Sequence, residues 1–343
     1  VPLTIAFYSF DDPTYACARL RVLEPVRTLG DAVRLLPGVA SQGAGHHVRT
    51  DILAQADLVI IQRYFPSPGT VPALAAIFDA GKPVVYDTDD DWSAVPPHHP
   101  FHPRMAAVLP HIEETARRAA LVTVSTPVLA EVYRMVNARV QVVPNLLPDA
   151  LWKQAKPPTR PVTAVLLAAT SSHQPDLAPL ETALTELARK MAGKVRFVFY
   201  GCPPAGDSFP GATILPFAPD YAAYAARLPR LGCTIGLAPL ADTPFNRAKS
   251  PVKWMEYAVA GATGIFADLP PYRDVVTPGE TGLLAGSDPK AWVEALSHLI
   301  GDAALRRRLA TQAMAAVAEK HLLSKGAGQY YQAWSQAVAG DRP

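Results

Sequence analysis

A chain of 343 residues has room for about two domains of ordinary size, and 49% hydrophobic residues with a mean hydropathy of +0.09 exclude a disordered polymer despite 35 prolines. Thirty-two Lys and Arg against 30 Asp and Glu leave a net charge of +2, too small a basic excess for a protein that coats nucleic acid. No run approaches the ~18 apolar residues of a membrane span, and the opening VPLTIAFYSF does not read as a signal peptide. Cys17, Cys202 and Cys233 fit neither a disulfide framework nor a zinc site, so each reads as a buried apolar residue in a reducing cytosol.

In chain order, short β-branched runs alternate with helical patterns. Buried strands are predicted at Leu3–Phe10, Asp57–Tyr64, Pro83–Asp87, Leu121–Ser125 and Val140–Val143. Helices are predicted between them at Tyr15–Leu29, Val71–Ala80, Pro103–Ala119 and Val128–Asn137. Gly30 and Gly81 stand at expected helix C-caps, and Thr126-Pro127 reads as an N-cap followed by the first helical residue. Strand–helix–strand alternation implies a parallel sheet covered on both faces, a Rossmann-like half.

The alternation breaks at Pro144-Asn145-Leu146-Leu147-Pro148, and the polar, proline-rich stretch Lys153–Pro161 reads as a linker. It then restarts. Strands are predicted at Val162–Ala168, Val195–Tyr200, Thr213–Leu215, Cys233–Pro239 and Thr263–Ala267. Helices are predicted at Leu177–Met191, Tyr221–Leu228, Pro251–Ala260, Pro289–Ile300 and Ala303–His321, with a last one near Lys325–Val338. The class is α/β, with two doubly wound halves in tandem: an N-terminal domain over 1–150, a second over 151–322, and a C-terminal helical segment over 323–343. Ligands of such sheets bind beyond the carboxyl ends of the strands. Weight therefore falls on Phe10-Asp11-Asp12, Arg63-Tyr64, Asp87–Asp91, Thr170–His173, Gly201 and Leu240–Lys249.

The strongest local signal is Lys249-Ser250-Pro251-Val252-Lys253-Trp254-Met255-Glu256-Tyr257. Ser250-Pro251 reads as the N-cap and first residue of a helix whose free N–H groups and positive dipole end favour an anion such as a diphosphate. Lys249 and Lys253 lie four apart beside that end, with Glu256 and Tyr257 about one turn further along. A carboxylate so placed suits a ribose diol while the lysines hold phosphates. An amphipathic surface helix with a Lys–Glu pair has the same pattern, and residue chemistry alone leaves both readings open.

The run Ala238–Leu284 resembles the C-terminal domain of retaining glycosyltransferases of the GT-B fold, family 4 in particular. The resemblance is carried by the K-S-P-x-K-x-x-E-Y-x-x-x-G stretch of Lys249–Gly261, by Asp268-Leu269-Pro270-Pro271-Tyr272 and by Gly279-Glu280-Thr281-Gly282-Leu283-Leu284. In the first half Val84–Asp91, Leu121–Pro127 and Val142–Leu146 are similar too, so the match extends to essentially the whole chain. It implies two Rossmann-like domains with a cleft between them, a final helix crossing back to the N-terminal domain, a nucleotide sugar held mainly by the second domain, and an acceptor bound by the first. On that resemblance Glu256 binds the donor ribose, and Lys249 and Lys253 are candidates for the diphosphate. Two positions depart from the pattern. Ala248 stands where the family carries a second acidic residue, and Thr170-Ser171-Ser172-His173 replaces the Arg and Lys that often follow the first strand of the second domain.

Other side chains at strand ends complete the candidate set. Asp87-Thr88-Asp89-Asp90-Asp91 contains a D-x-D that would suit Mg²⁺ or Mn²⁺; its alternatives are a cleft-lining acidic group that positions or deprotonates an acceptor hydroxyl, and a solvated loop. No metal or other cofactor is expected, and Asp89, Asp90 and His99 are the catalytic candidates. His98, His99 and His102 follow in a loop where Pro96, Pro97, Pro100 and Pro103 prevent a helix with zinc spacing. His46-His47 reads as an exposed Gly-rich loop. Arg19 and Arg21, near the end of the first strand, are candidates for an acceptor or a phosphate, or form a solvated helix face. His173 is a donor-side candidate together with Lys249, Ser250, Lys253, Glu256 and Tyr257.

The resulting expectation is a cytoplasmic hexosyltransferase of glycan or glycoconjugate biosynthesis. It would move a sugar with retention from a nucleoside diphosphate sugar to a glycan, lipid-linked or protein acceptor. Peripheral contact with the inner membrane face stays open. The alternatives are a nucleotide-sugar epimerase of the same fold, a non-catalytic nucleotide-sugar or glycan-binding protein, and a metal-dependent GT-A-like enzyme.

Overall fold

A computed structural model describes residues 1–42, 45–158, 163–205, 209 and 211–340. Residues 159–162, which include the end of the predicted linker and the first residue of a predicted strand, Val162, lie outside them, as do residues 341–343 of the predicted C-terminal segment. The chain forms two compact units. The first gathers residues 1–146, 248–250 and 323–340; the second gathers Leu147–Arg247 and Pro251–Leu322.

The first unit is built on six parallel strands: β1 (Leu3–Tyr8), β2 (Val33–Pro37), β5 (Leu58–Gln62), β6 (Val84–Thr88), β7 (Leu121–Val124) and β8 (Val140–Val142), the labels β3 (Val39–Gln42) and β4 (Gly45–Val48) belonging to a separate antiparallel hairpin. Their order is β2-β1-β5-β6-β7-β8. Strands such as LTIAFY and LVIIQ are apolar on both faces because helices cover both. Ile5 pairs with Leu58, Val59 with Val84 and Val85 with Leu121, which sets the core rows in register.

Strand β2 is missing from the sequence expectations, for a physical reason: it is a sheet edge, and its VRLLP run is only partly buried. His46 and His47 correct another expectation. They lie exposed on strand β4, not in a loop. The single helix predicted over Tyr15–Leu29 is interrupted, with a π turn at Arg19–Leu23 between Ala16–Ala18 and Glu24–Leu29. Pro25 accounts for the wider turn, since it has no N–H to give the Arg21 carbonyl and its ring would crowd that oxygen.

The helix Leu323–Gly340 belongs to the first unit. Leu323, Ala327, Tyr330, Ala333, Trp334 and Ala337 recur at helical spacing and enter one core with Ile5, Ile60, Val85, Val143 and Leu146.

The second unit has its own six parallel strands: β9 (Thr163–Ala168), β10 (Val195–Tyr200), β11 (Thr213–Leu215), β12 (Ile235–Ala238), β13 (Thr263–Ala267) and β14 (Leu283–Ala285). The order β11-β10-β9-β12-β13-β14 is the Rossmann order, with the strand direction of travel reversing between β9 and β12. In the first sheet the corresponding reversal falls between β1 and β5. Helix Val252–Val259 returns along this sheet; Gly236 in β12 leaves the space that the Tyr257 ring fills. Gly261 closes the helix at φ +80°, where a Cβ would stand 2.9 Å from the carbonyl oxygens of Ala155 and Lys156.

Candidate functional site

Each sheet concentrates polar side chains at its reversal point, where open α/β sheets hold ligands. In the second unit His173 closes a short turn after β9, and its Nδ1 lies 2.6 Å from Asp176 Oδ2. Asp176 Oδ1 accepts from the Ala241 backbone N–H and from Asn246 Nδ2, both at 2.8 Å, so one carboxylate ties the loop after β12 to the helix after β9. A carboxylate on Nδ1 fixes the orientation of the imidazole ring.

One turn into helix Val252–Val259, Glu256 is 1% exposed. Its Oε1 accepts from Tyr221 at 3.1 Å; its Oε2 accepts from Tyr224 at 2.9 Å and from Lys253 at 2.7 Å. Trp152 Nε1 donates to the Tyr221 hydroxyl at 3.1 Å, extending the network. Burial, then the neighbouring Glu256 carboxylate, pushes the Tyr224 phenol well above its ordinary value, so it remains a donor. Lys253 lies 4.9 Å over the Tyr224 ring and is partly exposed, so its ammonium is the solvent-facing member of the group.

In the first unit the hub is Arg63, directly after β5, whose φ of 53° makes it the non-glycine residue with a left-handed backbone among those described. Its guanidinium meets three carboxylates: Asp11 after β1 at 3.2 Å, and Asp89 and Asp90 after β6 at 2.7 and 3.0 Å. It lies over the rings of Trp92 and Tyr64, at 5.0 and 5.8 Å. Tyr64 donates to Asp11 Oδ1 at 2.7 Å, and Lys249 Nζ stands 3.4 Å from Asp90 Oδ1. Burial raises the Asp89 carboxyl. Burial acts the same way on Asp90, but Lys249, Arg63 and His99 outweigh it and hold that carboxyl below its ordinary value. Burial drives the Cys17 thiol well up despite Arg63 beside it, which keeps it a thiol.

No protein-family model matches the chain, and a comparison with curated proteins finds no match. Solved structures match along its whole length. Sucrose-phosphate synthase from Thermosynechococcus elongatus superposes with a TM-score of 0.69 at 15% identity, covering 98% of this chain and 99% of that one. HepE from Anabaena in complex with UDP gives 0.66 at 16% identity, over 98% of this chain and 100% of that one. Trehalose-6-phosphate synthase gives 0.62 at 10% identity over 99% of both. These neighbours are GT-B glycosyltransferases. The chain has the GT-B fold.

Within this GT-B chain the predicted residues separate into partly exposed and internal groups. Asp89, Asp90, Lys249 and His99 gather around or near Arg63. His99 Nδ1 accepts from the Phe101 backbone N–H at 3.2 Å, and its ring stacks on Phe101. His173 and Lys253 are placed as described above.

Four expectations need correction. Arg21 cannot grip an acceptor or phosphate: it is 1% exposed, paired in bidentate fashion with Asp87 (3.2 and 2.7 Å), and bonded to the Val143 carbonyl and to Asn145. Tyr257 is internal, its hydroxyl donating to the Leu237 carbonyl at 3.0 Å and accepting from Ala168 N–H. Ser250 does not cap the helix. The helix begins at Val252, no side chain caps it, and the Ser250 hydroxyl accepts from Asn145 at 2.9 Å. Glu256 has both oxygens engaged by protein donors, so its carboxylate is not open to a ribose in this conformation. Arg19 is mostly buried and donates to Glu24 at 2.9 Å, a carboxylate that Arg27 also binds.

The D-x-D carboxylates serve different partners, Asp89 meeting Arg63 while Asp91 caps its own turn through Ser93. Among the described residues no three His, Cys, Asp or Glu side chains are grouped to hold a metal ion. No helix among them is long and apolar enough to cross a membrane. Asp11, Arg63 and Tyr64 are visible in the sequence as strand-end residues without a role, and Asp176, Tyr221, Tyr224 and Asn246 carry no sequence signal of one. The two tyrosines sit at apolar positions of a short helix and read as packing until their hydroxyl partner is known.

Proposed function

We propose that the chain is a glycosyltransferase that moves a sugar from a nucleoside diphosphate sugar to an acceptor hydroxyl. The observation that carries this reading is the uncapped helix start at Val252, bearing Lys253 in its first turn, within a GT-B fold. Free N–H groups, the dipole end and the Lys253 ammonium suit the leaving diphosphate, whose charge grows as the glycosidic bond breaks. Glu256 holds Lys253 and Tyr224 in place for that task, and His173, oriented by Asp176, is a further donor toward the diphosphate or sugar. Asp89 and Asp90 serve the acceptor side, where a carboxylate positions or deprotonates the attacking hydroxyl. HepE, a structural neighbour, has been seen with UDP and with UDP-glucose, which supports a uridine donor as the first to try.

Retention at the anomeric carbon, a hexose as the transferred sugar, independence of Mg²⁺ and Mn²⁺, glycan or glycoconjugate biosynthesis and a cytoplasmic setting belong to the same proposal by family resemblance. A thermal-shift panel of UDP, GDP, dTDP and ADP sugars, with and without Mg²⁺, tests it. One base should raise the melting temperature, by about 2.7 kcal/mol of stabilisation at a hundred times Kd. A flat panel contradicts the reading. Ala248 favours one second reading, a non-catalytic nucleotide-sugar binder, because position 248 is buried and offers no acidic group. Binding without any release of nucleotide diphosphate would select it.

A further inference from the structure

Two helices of the second unit each present a pair of side chains three positions apart: Tyr221 and Tyr224 on Tyr221–Arg227, Lys253 and Glu256 on Val252–Val259. Asp220 fixes the start of the first helix by accepting from the Ala222 and Ala223 N–H groups. The two pairs meet through two relays. Trp152 Nε1 donates to the Tyr221 hydroxyl, which donates on to Glu256 Oε1. Lys253 donates to the Tyr224 hydroxyl at 3.1 Å, which donates on to Glu256 Oε2. Lys253 also reaches Oε2 directly, which closes a ring of three groups.

Two consequences follow for a bound nucleotide. The tyrosine hydroxyls occupy separate oxygens of one carboxylate, the places that a vicinal diol would take, and the Glu256 side chain is 2% exposed. A ribose could reach it only by displacing both phenols and leaving them without their acceptor, which is unfavourable for buried groups. Lys253 is held differently, with its side chain 29% exposed. An ammonium has three N–H donors; Tyr224 and Glu256 take two and so fix the direction of the third. The Tyr224 ring, 4.9 Å away, steadies the same cation. A long side chain ordered in advance loses less entropy when it meets an anion.

We infer that Tyr221 and Tyr224 are positioning residues that commit Glu256 to Lys253, so that this helix grips the donor through its phosphates and Glu256 makes no contact with the ribose. The inference rests on the transferase reading above, in which Lys253 meets the diphosphate. The donor class it names is a nucleoside diphosphate whose 2′- and 3′-hydroxyls Glu256 does not read, ribose and 2′-deoxyribose alike.

Inorganic pyrophosphate tests this, because it carries two phosphates without ribose or base. Its affinity is measured by calorimetry beside that of UDP, or of the nucleoside diphosphate whose base the thermal-shift panel selects. The proteins are the wild type, Tyr224→Phe, Tyr221→Phe, Glu256→Gln and Lys253→Met, with melting temperatures read to confirm folding. Pyrophosphate should bind the wild type, about fivefold more weakly Tyr224→Phe, and at least tenfold more weakly Glu256→Gln. The nucleotide should weaken by the same factors. In a Lys253→Met background Tyr224→Phe should cost no further affinity, since the hydroxyl acts through the ammonium. A role in packing alone would not give that coupling. Should Tyr224→Phe fail to fold, Tyr221→Phe and Glu256→Gln carry the same comparison.

A Glu256→Gln protein that loses the nucleotide and keeps pyrophosphate has lost a ribose contact, which overturns the inference. So does tyrosine-to-phenylalanine replacement that leaves pyrophosphate affinity at the wild-type value, or a wild type that binds the nucleotide and not pyrophosphate. If the wild type binds neither pyrophosphate nor any nucleoside diphosphate, the transferase reading itself falls.

Discussion

Arg21 and Lys249 show how differently two basic residues at strand ends are used. The Arg21 guanidinium is sealed against Asp87, which also accepts from Thr123 at 2.7 Å, and it lies over the Tyr330 ring. Burial opposes its charge, yet Asp87 more than restores it, so the guanidinium stays charged. Arg21→Met would leave Asp87 buried without its cation. The unfolding free energy should fall by about 3–5 kcal/mol in urea titration, with nucleotide affinity unchanged in the folded protein. Lys249 acts instead on a carboxylate that titrates. Asp90 is held below the usual Asp value of 3.8, so it stabilises the fold above that pH, and this contribution is lost as pH falls through its folded-state value. Lys249→Met should move that value back up, so acid unfolding followed by circular dichroism should set in at a higher pH. An unshifted or lowered midpoint contradicts the pairing. Asp89 runs the other way, raised by burial, and the cations that restrain it are Arg63 and Arg21, not Lys249.

At the scale of elements, the helix Leu323–Gly340 completes the core of the first unit. Trp334→Ala should cost roughly 3–5 kcal/mol in denaturant unfolding, as for other buried large-to-small changes; a loss below 1 kcal/mol would show that the helix packs loosely. The buried strands were legible in the sequence because a parallel sheet covered on both faces demands unbroken apolar runs, as in LVIIQ and TAVLLA. Two of the four edge strands do not meet that demand. β2 and the three-residue β14 were passed over for this reason, and the β3–β4 hairpin carries the wholly polar pair His46-His47. The π turn at Arg19–Leu23 was hidden because Pro25 reads equally well as a helix break. At the candidate site, the Lys249–Glu256 spacing was legible, since three- and four-residue steps place side chains on one face. The left-handed backbone of Arg63 and the engagement of Glu256 by Tyr221 and Tyr224 were not, because both depend on partners 26 to 35 positions away.

At the scale of the whole molecule, two parallel sheets each gather their polar clusters where the strand order reverses, one rich in carboxylates around Arg63 and one built around His173, Asp176 and the loop leading to Lys253. The measurement that bears most directly on this account is titration calorimetry of UDP-glucose, or of the nucleotide sugar selected by thermal shift, into the wild-type chain, Lys253→Met and Glu256→Gln. The account predicts saturable one-site binding to the wild type and at least a tenfold loss in both variants, since one removes the phosphate-facing ammonium and the other its anchor. Equal affinity in all three proteins, or no saturable binding to the wild type, would contradict it.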